Sequence, residues 1–133
     1  MLTAFEVAAM PTKQAVDAIR TGLSARAFMG VADMLFLTGD ELAGKLGVSP
    51  RTIRDQRKKH LRLSKENTEK LVRIARIHHQ ARTIFSTNEA ASEWLRAPAP
   101  ALEGARPIDL LDTDLGVREV ENVLTGIAYG NVM

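Results

Sequence analysis

The breakers that punctuate this chain fall between its periodic apolar stretches, which confines it to a string of short helices joined by tight connections. Pro11-Thr12 opens a helix reaching about Arg20 and stopping at Gly22, and Ser24 caps the next, through Phe28, Val31, Ala32 and Leu35. Asp40 caps Glu41 to Leu46, Gly47 ends that helix, and Ser49-Pro50 starts another through about Lys59. A longer helix runs from Ser64 to about Phe85, with Leu71, Ile74, Ala75, Ile77 and Ala81 facing inward. Thr87 or Asn88 caps a helix holding Ala90, Ala91, Trp94 and Leu95, and Pro98, Pro100, Gly104 and Pro107 mark an irregular connection. A last helix spans about Val117 to Ile127, and no strand or internal repeat is legible. With 45% hydrophobic but only 5% aromatic residues, aliphatic side chains must fill the core, which suits an all-α fold.

A chain of 133 residues holds one compact domain or two very small ones. The absence of Cys excludes disulfides, thiol nucleophiles and zinc-thiolate sites, and makes a reducing cytoplasm the simplest location. The longest apolar runs, Val7 to Met10 and Met34 to Leu37, are far too short for a membrane span or a signal-peptide core. Net charge is only +2, yet it is unevenly spread: residues 1–39 balance to zero, 40–82 carry +7 and 83–133 carry −5. A basic middle followed by an acidic end fits a part that faces a polyanion and a part that faces another partner.

The basic stretch contains the pattern of a helix-turn-helix. Two helices that cross steeply need a small residue where they touch, a Gly in the turn and an apolar anchor on the second helix. Ala43, Gly47 and Ile53 supply these, with Leu42, Leu46 and Val48 completing the inner face. The second helix then carries Arg51, Thr52, Arg54, Gln56, Arg57, Lys58 and Lys59, side chains of the kinds that reach base edges and phosphates. Ser49 and Thr52, at the helix N-terminus, suit a backbone phosphate; Arg51 and Arg54 are the better placed for bases. An ordinary helical corner with a solvated basic face is the other reading, and Asp55, acidic in mid-helix, counts toward it.

No catalytic constellation is visible. His78-His79 are adjacent, so on a helix they diverge by about 100° and cannot ligate one metal together. Asp109, Asp112 and Asp114 lack a metal loop or a His partner, and no phosphate loop or dinucleotide fingerprint occurs. Neither an enzymatic role nor a metal or other cofactor is expected. Trp94 with Leu95 reads either as core of a small C-terminal unit or as an interface anchor, and Tyr129 is hard to bury.

Read as a whole, the C-terminal stretch resembles the antitoxin family variously called MbcA/ParS/Xre, whose toxin-binding domain follows a Xre-like helix-turn-helix. The residues that carry the likeness are Glu89-Ala90-Ala91, Trp94-Leu95, Pro98, Leu102, Gly104, Arg106-Pro107, Asp109-Leu110-Leu111, Thr113, Gly116, Val120, Leu124, Ile127 and Tyr129-Gly130. It extends upstream through Leu42-Ala43, Leu46-Gly47-Val48-Ser49, Arg51-Thr52-Ile53 and Leu63-Ser64, covering about residues 23–131. The resemblance implies an all-α chain in three parts: an N-terminal helical arm (1–22), a Xre-like helix-turn-helix domain for DNA binding and dimerisation (23–85) and a small helical toxin-binding domain (86–133). It implies a cytoplasmic homodimer that binds and silences a RES-domain toxin, an enzyme depleting NAD, and that represses its own operon. Tyr129, Gly130, Asn131, Val132 and Met133 would then plug the toxin's active-site cleft, and Trp94 and Arg106-Pro107 to Leu110 and Leu111 would be docking surface. A stand-alone regulator with a C-terminal protein-interaction unit, and a pure inhibitor with a vestigial helix-turn-helix, are the other functions compatible with the residues.

Overall fold

The computed structural model describes residues 1–130. Among them are eight α-helices, two 3-10 turns and no strand, so the chain is all-α. The helices are α1 (Ala4–Ala8), α2 (Thr12–Thr21), α3 (Ala27–Met34), α4 (Gly39–Leu46), α5 (Pro50–Lys58), α6 (Lys65–Phe85), α7 (Asn88–Arg96) and α8 (Asp114–Ala128). The 3-10 turns, Pro100–Leu102 and Pro107–Leu110, occupy the Pro-rich connection between α7 and α8. Two compact units divide the chain, Met1–Arg76 and Ile77–Met133, with α6 running from the first into the second.

In the first unit α1 is an addition to the helices expected from periodicity. It is five residues long, and a capping box holds it: the Thr3 hydroxyl accepts from the Glu6 N–H at 3.0 Å while the Glu6 carboxylate accepts from the Thr3 N–H at 2.9 Å. Ala4 and Val7 are fully buried, and α1 packs against α2 and α3. α2 ends at Gly22 as expected, with φ +88°; a Cβ there would strike the Leu63 carbonyl. That close approach belongs to a short antiparallel contact, a single bridge between Ser24 and Arg62. Leu63 N–H donates to the Leu23 carbonyl at 2.7 Å, Ala25 N–H to the Leu61 carbonyl at 3.0 Å, and the Arg62 guanidinium to the Gly22 carbonyl at 2.8 Å. The buried Thr68 hydroxyl of α6 accepts from Leu23 N–H at 3.1 Å, completing the backbone pairing that polar groups require away from water.

Two expected caps differ. Ser24 lies in the bridge and does not cap α3, which begins at Ala27 without a side-chain cap. Thr38, not Asp40, caps α4: its hydroxyl accepts from Glu41 N–H at 3.0 Å and the Glu41 carboxylate accepts from Thr38 N–H at 2.9 Å. The reciprocal box satisfies two otherwise orphaned N–H groups, which a lone Asp cannot do. Phe28, Val31, Ala32 and Leu35 of α3 and the segment after it form the core with Leu42, Leu46, Leu71 and Ile74.

In the second unit α7 is capped by Thr87, whose hydroxyl accepts from Ala90 N–H at 3.0 Å, and α8 by Thr113, whose hydroxyl accepts from Gly116 N–H at 3.0 Å. α8 thus starts three residues before the first periodic apolar position, Val117, because the cap and not the apolar stripe sets the start. Val117, Val120 and Leu124 are buried, together with Ala91, Leu95, Leu102, Ile108 and Leu111. Gly116 sits against the second 3-10 turn so closely that a Cβ would overlap the Leu110 carbonyl. Only Gly lets α8 and that turn approach in this way.

Candidate DNA-binding and partner-binding surfaces

The α4–α5 corner has the geometry its residues predict. Ala43 of α4 is fully buried and Ile53 of α5 is 3% exposed, Leu42, Leu46 and Val48 are buried with them, and α4 packs against α5. Gly47 adopts φ +67°, ψ +29°, the left-handed conformation, and its N–H bonds to the carbonyls of Ala43 and Gly44. Val48 N–H returns to the Ala43 carbonyl at 2.9 Å, which turns the chain sharply before α5. Ser49 caps α5 by accepting from Thr52 N–H at 3.2 Å, and Pro50 occupies the first turn, where its missing N–H costs nothing. The Ser49 hydroxyl keeps its own proton for an external acceptor such as a phosphate oxygen.

α5 presents Arg51, Thr52, Arg54, Asp55 and Lys58 to solvent, with Lys59 exposed at its end, while Arg57 is half-buried. Gln56 departs from expectation: its Oε1 is buried without a hydrogen-bond partner among the described residues, so the carboxamide is turned inward and does not join the solvent face. One feature of the face was not legible. Arg54 Nη1 donates to Asp40 Oδ2 of α4 at 2.6 Å, and no local pattern links residues 14 positions apart.

In the second unit Trp94 is half-buried, its ring 5.7 Å from that of Phe85 at an interplanar angle of 31°. The stretch expected to form docking surface is only partly surface. Arg106 and Asp109 are exposed, with Arg106 Nε 3.4 Å from Asp109 Oδ2, and Leu110 is half-buried. Pro107 and Leu111 are buried with Ile108, and so hold the turn in place from beneath. Beside that turn, Leu102, Leu110, Leu115 and Gly116 line a groove of about 580 Å³ flanked by Glu103 and Glu119, and Leu115 is 71% exposed. Tyr129, at the end of α8, is 84% exposed, and Gly130 follows with φ +83°. Asn131, Val132 and Met133, expected as the rest of the plug, lie outside the described residues.

His78 is 3% exposed, with Nε2 3.2 Å from the Ser92 hydroxyl. Burial lowers its pKa, a bond with the Asn88 backbone opposes the shift, and the charges of His79 and Arg82 add to it. No group of three or more His, Asp or Glu among the described residues stands where it could hold a metal ion, and no helix is long and apolar enough to cross a membrane.

Comparison with known proteins finds a family model for each of two successive stretches of the chain. Residues 14–76 match the antitoxin Xre-like helix-turn-helix domain, and residues 80–130 match the antitoxin Xre/MbcA/ParS C-terminal toxin-binding domain. Among individual relatives, the Prs ADP-ribosylating antitoxin of Sphingobium sp. is 28% identical over 86% of this chain and 78% of its own length. Antitoxin Xre of Pseudomonas putida is 30% identical over 60% of this chain and 50% of its own length. Antitoxin Xre of Yersinia enterocolitica is 24% identical over 86% and 78%. The helix-turn-helix of α4–α5 followed by the unit built on α7, the 3-10 turns and α8 is the arrangement these two models describe in succession, and the chain belongs to the MbcA/ParS/Xre antitoxin family.

Proposed function

We propose that this chain neutralises a RES-domain, NAD-consuming toxin by filling its active-site cleft, and represses its own operon as a homodimer through α5. The observation that carries the first half is the end of α8: a tyrosine 84% exposed, at the tip of a toxin-binding domain whose residues 83–133 carry a charge of −5. A cleft that binds anionic NAD is basic, so an acidic, aromatic-tipped inhibitor complements it in charge and shape. The Sphingobium relative is named for ADP-ribosylation, a reaction that consumes NAD, and this favours an NAD-using partner here.

In this reading Tyr129 and Gly130, with Asn131, Val132 and Met133, enter the cleft. Trp94, Arg106 and Leu110 border the contact, and Pro107 and Leu111 fix the turn that presents Arg106. DNA is held by Ser49, Thr52, Arg57, Lys58 and Lys59 on phosphates and by Arg51 and Arg54 on bases, within residues 23–85, with the arm 1–22 supporting dimerisation. Symmetric pairing makes physical sense because one small module reaches few base pairs. The chain itself has no catalytic role and works in the cytoplasm.

Co-expression with the product of the neighbouring gene tests the proposal. Copurification of the two proteins, with cellular NAD preserved only when this chain is present, is the expected result. Neither complex nor protection would leave a stand-alone regulator as the function.

A further inference from the structure

Asp40 lies in the first turn of α4, and its Oδ2 accepts a hydrogen bond of 2.6 Å from Nη1 of Arg54 on α5. Both side chains are about half exposed, at 58% and 50%, and an exposed ion pair of this kind adds almost nothing to folding stability. Its consequence is geometric. Arg54 stands on a helix surface with a long, flexible stem, and a short charge-assisted bond to one guanidinium nitrogen fixes the plane of the whole fork. The bond uses Nη1 and leaves the Nε–Nη2 edge, two parallel N–H donors with no other partner among the described residues. Two parallel donors match O6 and N7 of guanine in the major groove. Arg54 also lies little more than one turn into α5, in the part of a recognition helix that reaches base edges. Arg57, one turn further, lines the same hollow of about 280 Å³ as Asp40 and Arg54 but makes no bond to Asp40.

We propose that Asp40 is a positioning residue for sequence reading, holding the Nε–Nη2 edge of Arg54 toward one guanine of the operator. The proposal rests on DNA binding by α5. If Asp40 merely offset the charge of Arg54, removing it would strengthen binding to every sequence alike, and the two cases separate experimentally.

The experiment selects duplexes from a randomised pool with the full chain and with Asp40→Ala, Asp40→Asn and Arg54→Ala, reading base preference position by position. The wild type should show one guanine that Arg54→Ala erases. Asp40→Ala should cut the preference for guanine there by about tenfold, leaving other positions and the melting temperature unchanged. Asp40→Asn, which keeps an oxygen acceptor for Nη1, should recover most of that preference, an outcome that loss of charge cannot produce. A uniform rise in affinity with Asp40→Ala, or an intact guanine preference, would overturn the inference while leaving DNA binding standing. A wild type that enriches no sequence would overturn both.

Discussion

Two glycines three residues apart, one inside α4 and one at its C-cap, should respond to alanine with opposite signs. Gly44 lies within the helix and Gly47 ends it in the left-handed conformation at φ +67°. A Cβ added at either meets no atom within 4 Å, so neither substitution has a packing cost and the backbone alone decides. At Gly44, alanine restricts the unfolded chain and suits the helix, a gain of about 0.5–1 kcal/mol. At Gly47, alanine must hold a conformation that costs an L-residue roughly 1–2 kcal/mol, offset in part by the same restriction of the unfolded chain, for a net loss of about 1 kcal/mol. The variants should therefore differ by about 2 kcal/mol, or roughly 8–16 °C in melting temperature at about 4–8 °C per kcal/mol for a unit of this size. Thermal and urea unfolding followed by circular dichroism measures this. Gly47→Asn should fall between wild type and Gly47→Ala, because Asn tolerates the left-handed region. Equal effects of the two alanines, or a stable Gly47→Ala that still binds operator, would show that the turn does not depend on the conformation assigned to it.

Other predictions concern the two surfaces and a buried histidine. Lys58→Ala and Lys59→Ala should each weaken operator binding and lower the slope of log affinity against log salt by about 0.9 if each removes one phosphate contact, with toxin copurification unchanged; salt titrations measure the slope. Truncation after Ala128 should leave the melting temperature nearly unchanged, since Tyr129 is exposed, but abolish protection of NAD; full protection by the truncated chain would refute the plug. Because the pKa of His78 is depressed by burial below the ordinary 6.5, the unfolded chain takes up a proton that the folded one resists. Stability should be full above that value and fall as pH drops through the folded pKa, and His78→Gln should flatten the dependence of urea midpoints on pH.

What was legible in the sequence was local. Ala43, Gly47 and Ile53 span 11 residues and encode the corner without reference to the rest of the chain, so the structure meets them with the expected burial and φ. α1 is too short to show periodicity, although Thr3 and Glu6 spell a capping box; Thr38 and Glu41 spell another beside the more conspicuous Asp40. Ser24 reads as a cap, yet its backbone pairs with Arg62, a non-local contact that no sequence window reveals. Pro107 and Leu111 read as surface because a four-residue 3-10 turn has no period long enough to show which side faces α7 and α8.

Asp55 is where the autorepressor and inhibitor-only readings part. Counting 100° per residue from the buried Ile53 and the inward Gln56 places Asp55 on the exposed face of α5, about 50° from its centre, where Arg51 and Lys58 stand. Arg51 and Lys59 stand four residues to either side and Lys58 three residues on, so one carboxylate lies among cations and the face remains net positive. An exposed charge in such company is worth about 0.5–1 kcal/mol, which predicts that Asp55→Asn strengthens binding to unselected DNA by only about two- to fivefold. The wild type should then already shift operator DNA at low salt, and the shift should fade as salt rises. If the wild type stays silent and Asp55→Asn alone binds, the carboxylate is disabling the helix. The chain would then act on its toxin without acting on its operon.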